Sequence, residues 1–138
     1  DENYALVHNN RGSLYLSEHL KSKNPAALAG AEGAFREAGR LDPAYASAWN
    51  GLGTALTIRG DFAGAIAAWE RAVGLKPDFG YALYNLGLIH LSRGDKARAL
   101  GYFLRYKDNQ FDALPAAERT KLDSLIEDCR RPGGGGHP

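Results

Sequence analysis

The sequence has no methionine, a single cysteine and almost no net charge. Cys129 alone cannot build a disulfide framework or a cysteine-ligated zinc cluster. It leaves the compartment open, because disulfide-free domains occur on either side of a membrane. The 17 Lys+Arg and 16 Asp+Glu sum to +1, so no bulk field draws in nucleic acid or anionic lipid. Long apolar runs are missing too. The longest uncharged stretch, residues 43–58, is short and carries Asn, Ser, Thr and Gly, so no membrane insertion is expected. No basic segment followed by an apolar run opens the chain, which excludes a signal peptide from these residues. The missing Met at position 1 leads to the expectation of a processed product or a segment of a longer protein. His8, His19, His90 and His137 are scattered without ligand spacing, so no metal or other cofactor is expected.

Glycine, by contrast, is abundant, at 17 residues. Four of them form the tail run 133–136. The others lie among Leu, Ala and Arg, where each costs a helix about 1 kcal/mol relative to Ala. Self-comparison supplies an order for them, with a period of about 34 residues. Leu52-Gly53 recurs as Leu86-Gly87, and Arg59-Gly60-Asp61 as Arg93-Gly94-Asp95. Ala31, Ala65 and Ala99 share one phase, as do Phe35, Trp69 and Phe103. Ala38, Leu41, Pro43 and Tyr45 match Ala72, Leu75, Pro77 and Phe79.

Trp49, Leu52, Ala55 and Leu56 are apolar at helical spacing, and so are Ile66, Trp69 and Val73. Between these segments Gly60 suits the left-handed position past a helix end, and Asp61 suits a helix cap. Lys76-Pro77-Asp78 then stops the second helix, since proline cannot continue it. Gly53 and Gly87 are expected where two helices approach too closely for a Cβ. On this reading most of the glycine excess becomes a requirement of helix crossings and turns.

The middle segment resembles the tetratricopeptide repeat, with Trp49-x-x-Leu52-Gly53, Ala65-x-x-x-Trp69, Ala72 and Pro77 in that family's pattern. Leu56 stands for the family's tyrosine and Trp69 for its phenylalanine. The resemblance covers roughly residues 4–111. It implies an all-α, right-handed superhelical solenoid of antiparallel helix pairs, with about seven helices. The repeats are expected at about 4–45, 46–79 and 80–113 within a single domain over 1–131. In the third, His90, Tyr106 and Phe111 replace the family's Tyr, Ala and Pro. In the first, residues 10–16 resemble 85–91, but Gly12 lies seven residues further from Ala31 than Gly53 does from Ala65. The surplus is close to two helical turns, so the first helix is expected to run long, from about Asn3 to Lys21, with Asn24-Pro25 starting the second. Leu122, Leu125, Ile126 and Cys129 form an amphipathic stripe, which predicts a capping helix over about 115–131 with Cys129 inside. The Gly-rich tail 132–138 is expected to be held, if at all, by a neighbouring molecule's groove or a packing contact.

No catalytic arrangement emerges, and the chain is expected not to be an enzyme. Both Arg-Gly-Asp copies sit at intra-repeat turns, the glycine tail lacks the Lys-Ser/Thr of a phosphate loop, and Glu32, Glu37, Glu70, Glu118 and Asp123 read as solvated faces. What the resemblance implies is a protein-interaction module whose first helices line a concave, peptide-binding groove. Carried onto this chain, the groove positions are Asn9 and Ser13, then Ser47, Asn50, Thr54 and Thr57, then Tyr81, Tyr84, Leu88 and Leu91. Asparagines can donate to and accept from a peptide backbone, and tyrosines add amphipathic area. A subset of the family grips a C-terminal carboxylate through Lys and Arg of the third repeat. Tyr81 and Asn85 stand at those positions, so that mode is not expected. The alternative is an accessory domain of a larger bacterial enzyme, such as a sulfatase or transferase, positioning substrate or mediating oligomerisation. Self-association through exposed helices is a further expectation.

Overall fold

A computed structural model describes residues 2–133. The end of the tail, residues 134–138, lies outside the described residues, and with it the tail-in-groove expectation. The order is α1 (Glu2–Ser22), α2 (Pro25–Leu41), α3 (Ala46–Arg59), α4 (Phe62–Leu75), α5 (Gly80–Ser92), α6 (Lys96–Gln110), a 3-10 turn (Phe111–Ala113) and α7 (Ala116–Arg130). The fold class is all-α, as expected, and the long first helix is present. The chain divides into two compact units between residues 82 and 83, inside α5.

In the first unit, helix ends follow from local chemistry. Asn24 caps α2 by accepting from the Ala26 N–H at 3.0 Å, with Pro25 at the first helical position, where its missing N–H costs nothing. Gly60 adopts φ 90° past the end of α3, and the Asp61 carboxylate then accepts from the Gly64 N–H at 2.9 Å to start α4. Lys23, at φ 60°, makes the turn out of α1 and is the non-glycine residue with positive φ among those described.

Packing inside each pair rests on an aromatic ring against a bare backbone. A Cβ on Gly53 would lie 2.5 Å from the Trp69 indole nitrogen, and one on Gly12 would lie 2.8 Å from the Phe35 ring. Gly12 and Gly53 are therefore structural equivalents, and α1 maps onto α3 at an offset of 41 residues, the repeat plus the seven-residue extension. Trp69 also donates its indole N–H to the Asn50 carbonyl at 3.2 Å, tying α4 to α3. Glu32 departs from the solvated face expected of it. It is mostly buried and reaches Arg36 at 3.2 Å and Arg59 at 2.9 Å, so it links α2 to the end of α3. Glu37 and Asp123 also have partners, in Arg40 and Lys107. The Arg40 guanidinium, hydrogen-bonded to Glu37, holds that carboxyl below its usual range.

In the second unit the same devices recur. Gly94 takes φ 82°, Asp95 caps α6 through the Arg98 N–H at 3.1 Å, and Gly87 lies under the Phe103 ring. Ala99, Phe103, Leu122, Ile126 and Cys129 form one core, so the stripe of α7 faces α6 as its spacing predicts. Arg119 donates to the carbonyls of Leu114 and Asp112, at 2.8 and 3.1 Å, and anchors the start of α7. Burial pushes the Cys129 thiol above its ordinary pKa, with Asp128 adding to the shift, which keeps it protonated and inert. His90, where the family has tyrosine, is buried and stacks on Tyr102 at 5.7 Å between centroids.

The glycine account needs one correction. A Cβ at Gly33, Gly74 or Gly101 would meet nothing within 4 Å. These three serve neither a crossing nor a turn and carry only the helix-propensity cost. Gly74→Ala and Gly101→Ala are therefore each expected to stabilise the chain by up to ~1 kcal/mol. Urea denaturation would check this, and an unchanged or lowered midpoint would contradict it.

Candidate functional site

Within the first unit, α1 and α3 pack side by side and carry the expected binding residues at equivalent positions. Asn9 and Asn50 are one such pair. Each is half-buried, and the side-chain oxygen of each is buried without a hydrogen-bond partner. A buried acceptor left unpaired costs roughly 1–3 kcal/mol, so two at matching positions are unusual.

The hydroxyls around them are already committed as donors. Ser13 donates to the Asn9 carbonyl at 3.2 Å, Thr54 to the Asn50 carbonyl at 3.3 Å, and Thr57 to the Gly53 carbonyl at 2.9 Å. Back-bonding of this kind is general for Ser and Thr in helices and leaves only lone pairs facing outward. Asn50, Thr54 and Thr57 share one face of α3 by their i, i+4, i+7 spacing. The result is an uncharged polar surface of asparagine amides and hydroxyl lone pairs, without a basic or acidic side chain among the expected binding positions. Ser47 is half-buried on the same helix, and Tyr81, at the start of α5, is 74% exposed.

In the second unit, Tyr84 and Leu91 pack onto the Phe103 core. The Tyr84 ring lies 6.0 Å from Phe103 and 5.3 Å from Tyr106. Both side chains thus carry a packing role beside any contact they offer. Leu88 stays exposed on the same helix.

Sequence reasoning missed two features. One is the exposed outer face of α1, whose signal is the spacing Tyr4, Val7, Arg11 and Leu14. The other is a cavity of about 390 Å³ among Arg36, Trp49, Leu56, Gly64, Ala67 and Arg71, where the Arg71 guanidinium stacks 4.7 Å from the Trp49 ring centre. Among the described residues no group of His, Cys, Asp or Glu could hold a metal ion, and no helix is long and apolar enough to cross a membrane.

Comparison with curated protein sequences finds no match. Among solved structures, the chain resembles the TPR2B domain of yeast Sti1 in its complex with pHsp70, at 18% identity and TM-score 0.77, covering 92% of this chain and 96% of that one. It also resembles the first TPR of Spaghetti (RPAP3) bound to the HSP90 peptide SRMEEVD, at 16% identity and TM-score 0.78, over 95% and 99% of the two chains. A third likeness is to the Yersinia enterocolitica type III secretion chaperone SycD in complex with a peptide of the translocator YopD, at 17% identity and TM-score 0.71, over 88% and 90%. These likenesses show the fold. The tetratricopeptide repeat profile matches residues 28–78 and 59–118, which together span well over half of the sequence. With the phased glycine–aromatic contacts and the capped helix pairs, this places the chain in the tetratricopeptide repeat family.

Proposed function

We propose that this chain is a non-catalytic interaction module that binds a peptide or partner segment along the α1–α3 face, through Asn9, Ser13, Asn50, Thr54 and Thr57. The observation that carries the reading is the placement of Asn9 and Ser13 on α1 beside Asn50, Thr54 and Thr57 on α3, with Asn9 and Asn50 at equivalent, half-buried positions of two neighbouring helices. Neighbouring packed helices lie roughly 8–10 Å apart, and an extended peptide rises about 3.3 Å per residue. Backbone groups some three residues apart on such a peptide therefore match the spacing of the two asparagine amides, which both donate and accept. Two of the similar structures hold a peptide, which supports the general mode.

The chemistry selects the ligand. An uncharged face of asparagine amides and hydroxyl lone pairs bonds with peptide backbone groups and uncharged polar side chains, and it offers no cation to a carboxylate. The preferred segment is thus uncharged and polar, unlike the acidic SRMEEVD peptide on the related fold. On α5, Tyr84 and Leu88 are proposed as a separate contact for apolar side chains, and Tyr81 as an exposed aromatic contact of its own.

Selection from a peptide library tests this. Selected peptides are expected to be poor in acidic residues and to bind Asn9→Ala, Asn50→Ala at least about tenfold more weakly, since two hydrogen bonds contribute roughly 1–3 kcal/mol. Equal binding by the double variant, with its melting temperature unchanged, would refute the site.

A further inference from the structure

α1 carries a second face that the peptide-binding reading leaves unused. Tyr4, Val7, Arg11, Leu14, Glu18 and Lys21 follow one another at steps of three and four, which aligns them along one side of a helix roughly 31 Å long. The opposite side, with Ala5 and Gly12, is buried against the unit. On the outer side Val7 is 52% exposed and Leu14 is 73% exposed. Their equivalents on α3, at the 41-residue offset, are Ala48 and Ala55, and both are fully buried. Positions that are core in the second repeat thus bear larger apolar side chains in the first, and those face water.

The charges on this stripe identify its occupant. Arg11 and Glu18 are both exposed, and neither forms an ion pair among the described residues. They stand the same distance on either side of the Leu14–Tyr15 bond, with opposite signs. A twofold interface needs a patch complementary to itself. We propose that the outer face of α1 pairs antiparallel with the same face of a second copy. The twofold axis passes near Leu14, so Leu14 meets its mate while Arg11 of each copy meets Glu18 of the other. The methylene stem of Lys21 covers Val7 of the second copy near each end. A heterologous helix would not require the opposite charges to be placed symmetrically about the Leu14–Tyr15 bond.

One helix face per copy is a small interface, so the association is weak, with a dissociation constant of roughly 10–100 µM. Sedimentation velocity of the full chain from about 1 to 500 µM tests it. The expected result is a concentration-dependent shift from the 14.9 kDa monomer to twice that mass. Leu14→Glu, at a site that bears no packing, is expected to stay monomeric throughout with an unchanged melting temperature. Arg11→Glu alone is expected to weaken association about tenfold, and Arg11→Glu with Glu18→Arg to restore it. Recovery in the doubly reversed variant is the result a merely structural or nonspecific contact would not produce. A wild-type chain that remains monomeric at 500 µM, a dimer indifferent to Leu14→Glu, or a reversed pair that fails to recover would each overturn the proposal. Because the peptide-binding face of α1 lies elsewhere on the helix, Leu14→Glu is expected to leave peptide affinity unchanged.

Discussion

Phe103→Ala is expected to lower stability by about 3–5 kcal/mol, a large part of the roughly 5–15 kcal/mol available to a domain of this size. The ring is fully buried between three helices. It lies under Gly87 of α5, within the turn of α6 that carries Ala99, and against the Leu122, Ile126 and Cys129 stripe of α7. Truncation removes the transfer energy of the ring and leaves a cavity that the neighbours cannot close, since the Tyr84 ring is itself held between Phe103 and Tyr106. Phe103→Leu keeps most of the volume and is expected to cost far less. Chemical denaturation followed by circular dichroism gives the magnitude, and hydrogen exchange gives the place. Protection should fall first in α6 and α7, because stability in stacked repeats is the sum of local and nearest-neighbour terms. A loss below about 1 kcal/mol would mean that the three helices close over the gap.

Much of this packing was legible in the sequence, and the reason is physical. Gly53 and Gly87 recur in phase and are expected where two helices approach too closely for a Cβ, and the structure supplies the rings above them, Trp69 and Phe103. The caps at Asp61 and Asp95, the left-handed glycines before them and the seven-residue extension of α1 were readable for the same reason. Periodicity failed where contact does not follow the repeat. Glu32 reaches Arg59 across 27 positions, and no period reports that distance. Gly33 and Gly101 fall outside the crossing and turn account, and Ala67, in phase with both, shows that the position takes a Cβ.

The candidate site divides in the same way. The family's positional pattern leads to Asn9 and Asn50, and the back-bonded hydroxyls follow from Ser and Thr in any helix. The burial of the two asparagine oxygens depends on how closely α1 and α3 pack, which residue types alone do not determine. The outer face of α1 was hidden for a different reason. Leu14 belongs to the 10–16 segment that matches 85–91 of the third repeat, where Ile89 is its buried counterpart, so the match by itself does not reveal that Leu14 faces solvent.

Gly53→Val joins the packing argument to the binding one. At Gly74 a new Cβ meets open space, whereas at Gly53 it lies 2.5 Å from the indole nitrogen of Trp69 and 2.7 Å from its ring carbons. The indole cannot yield cheaply. It is buried, and its N–H is committed to the Asn50 carbonyl at 3.2 Å. Overpacking of this kind costs roughly 1–3 kcal/mol, and valine's two γ-methyls raise it above the alanine variant, whose propensity gain of up to ~1 kcal/mol offsets part of the clash. The sign should therefore reverse between Gly74→Ala and Gly53→Ala, although the chemical change is identical. Displacing the indole also takes one donor from the Asn50 carbonyl, leaving it to Thr54, and shifts the helix turn that holds the Asn50 side chain. Gly53→Val is thus expected to weaken peptide binding as well as stability. Smaller partners separate the two causes: in a double-mutant cycle, Gly53→Ala with Trp69→Leu should cost less than the sum of the single changes by at least ~1 kcal/mol. Additive costs would show that the ring and the bare backbone do not act as one packing unit.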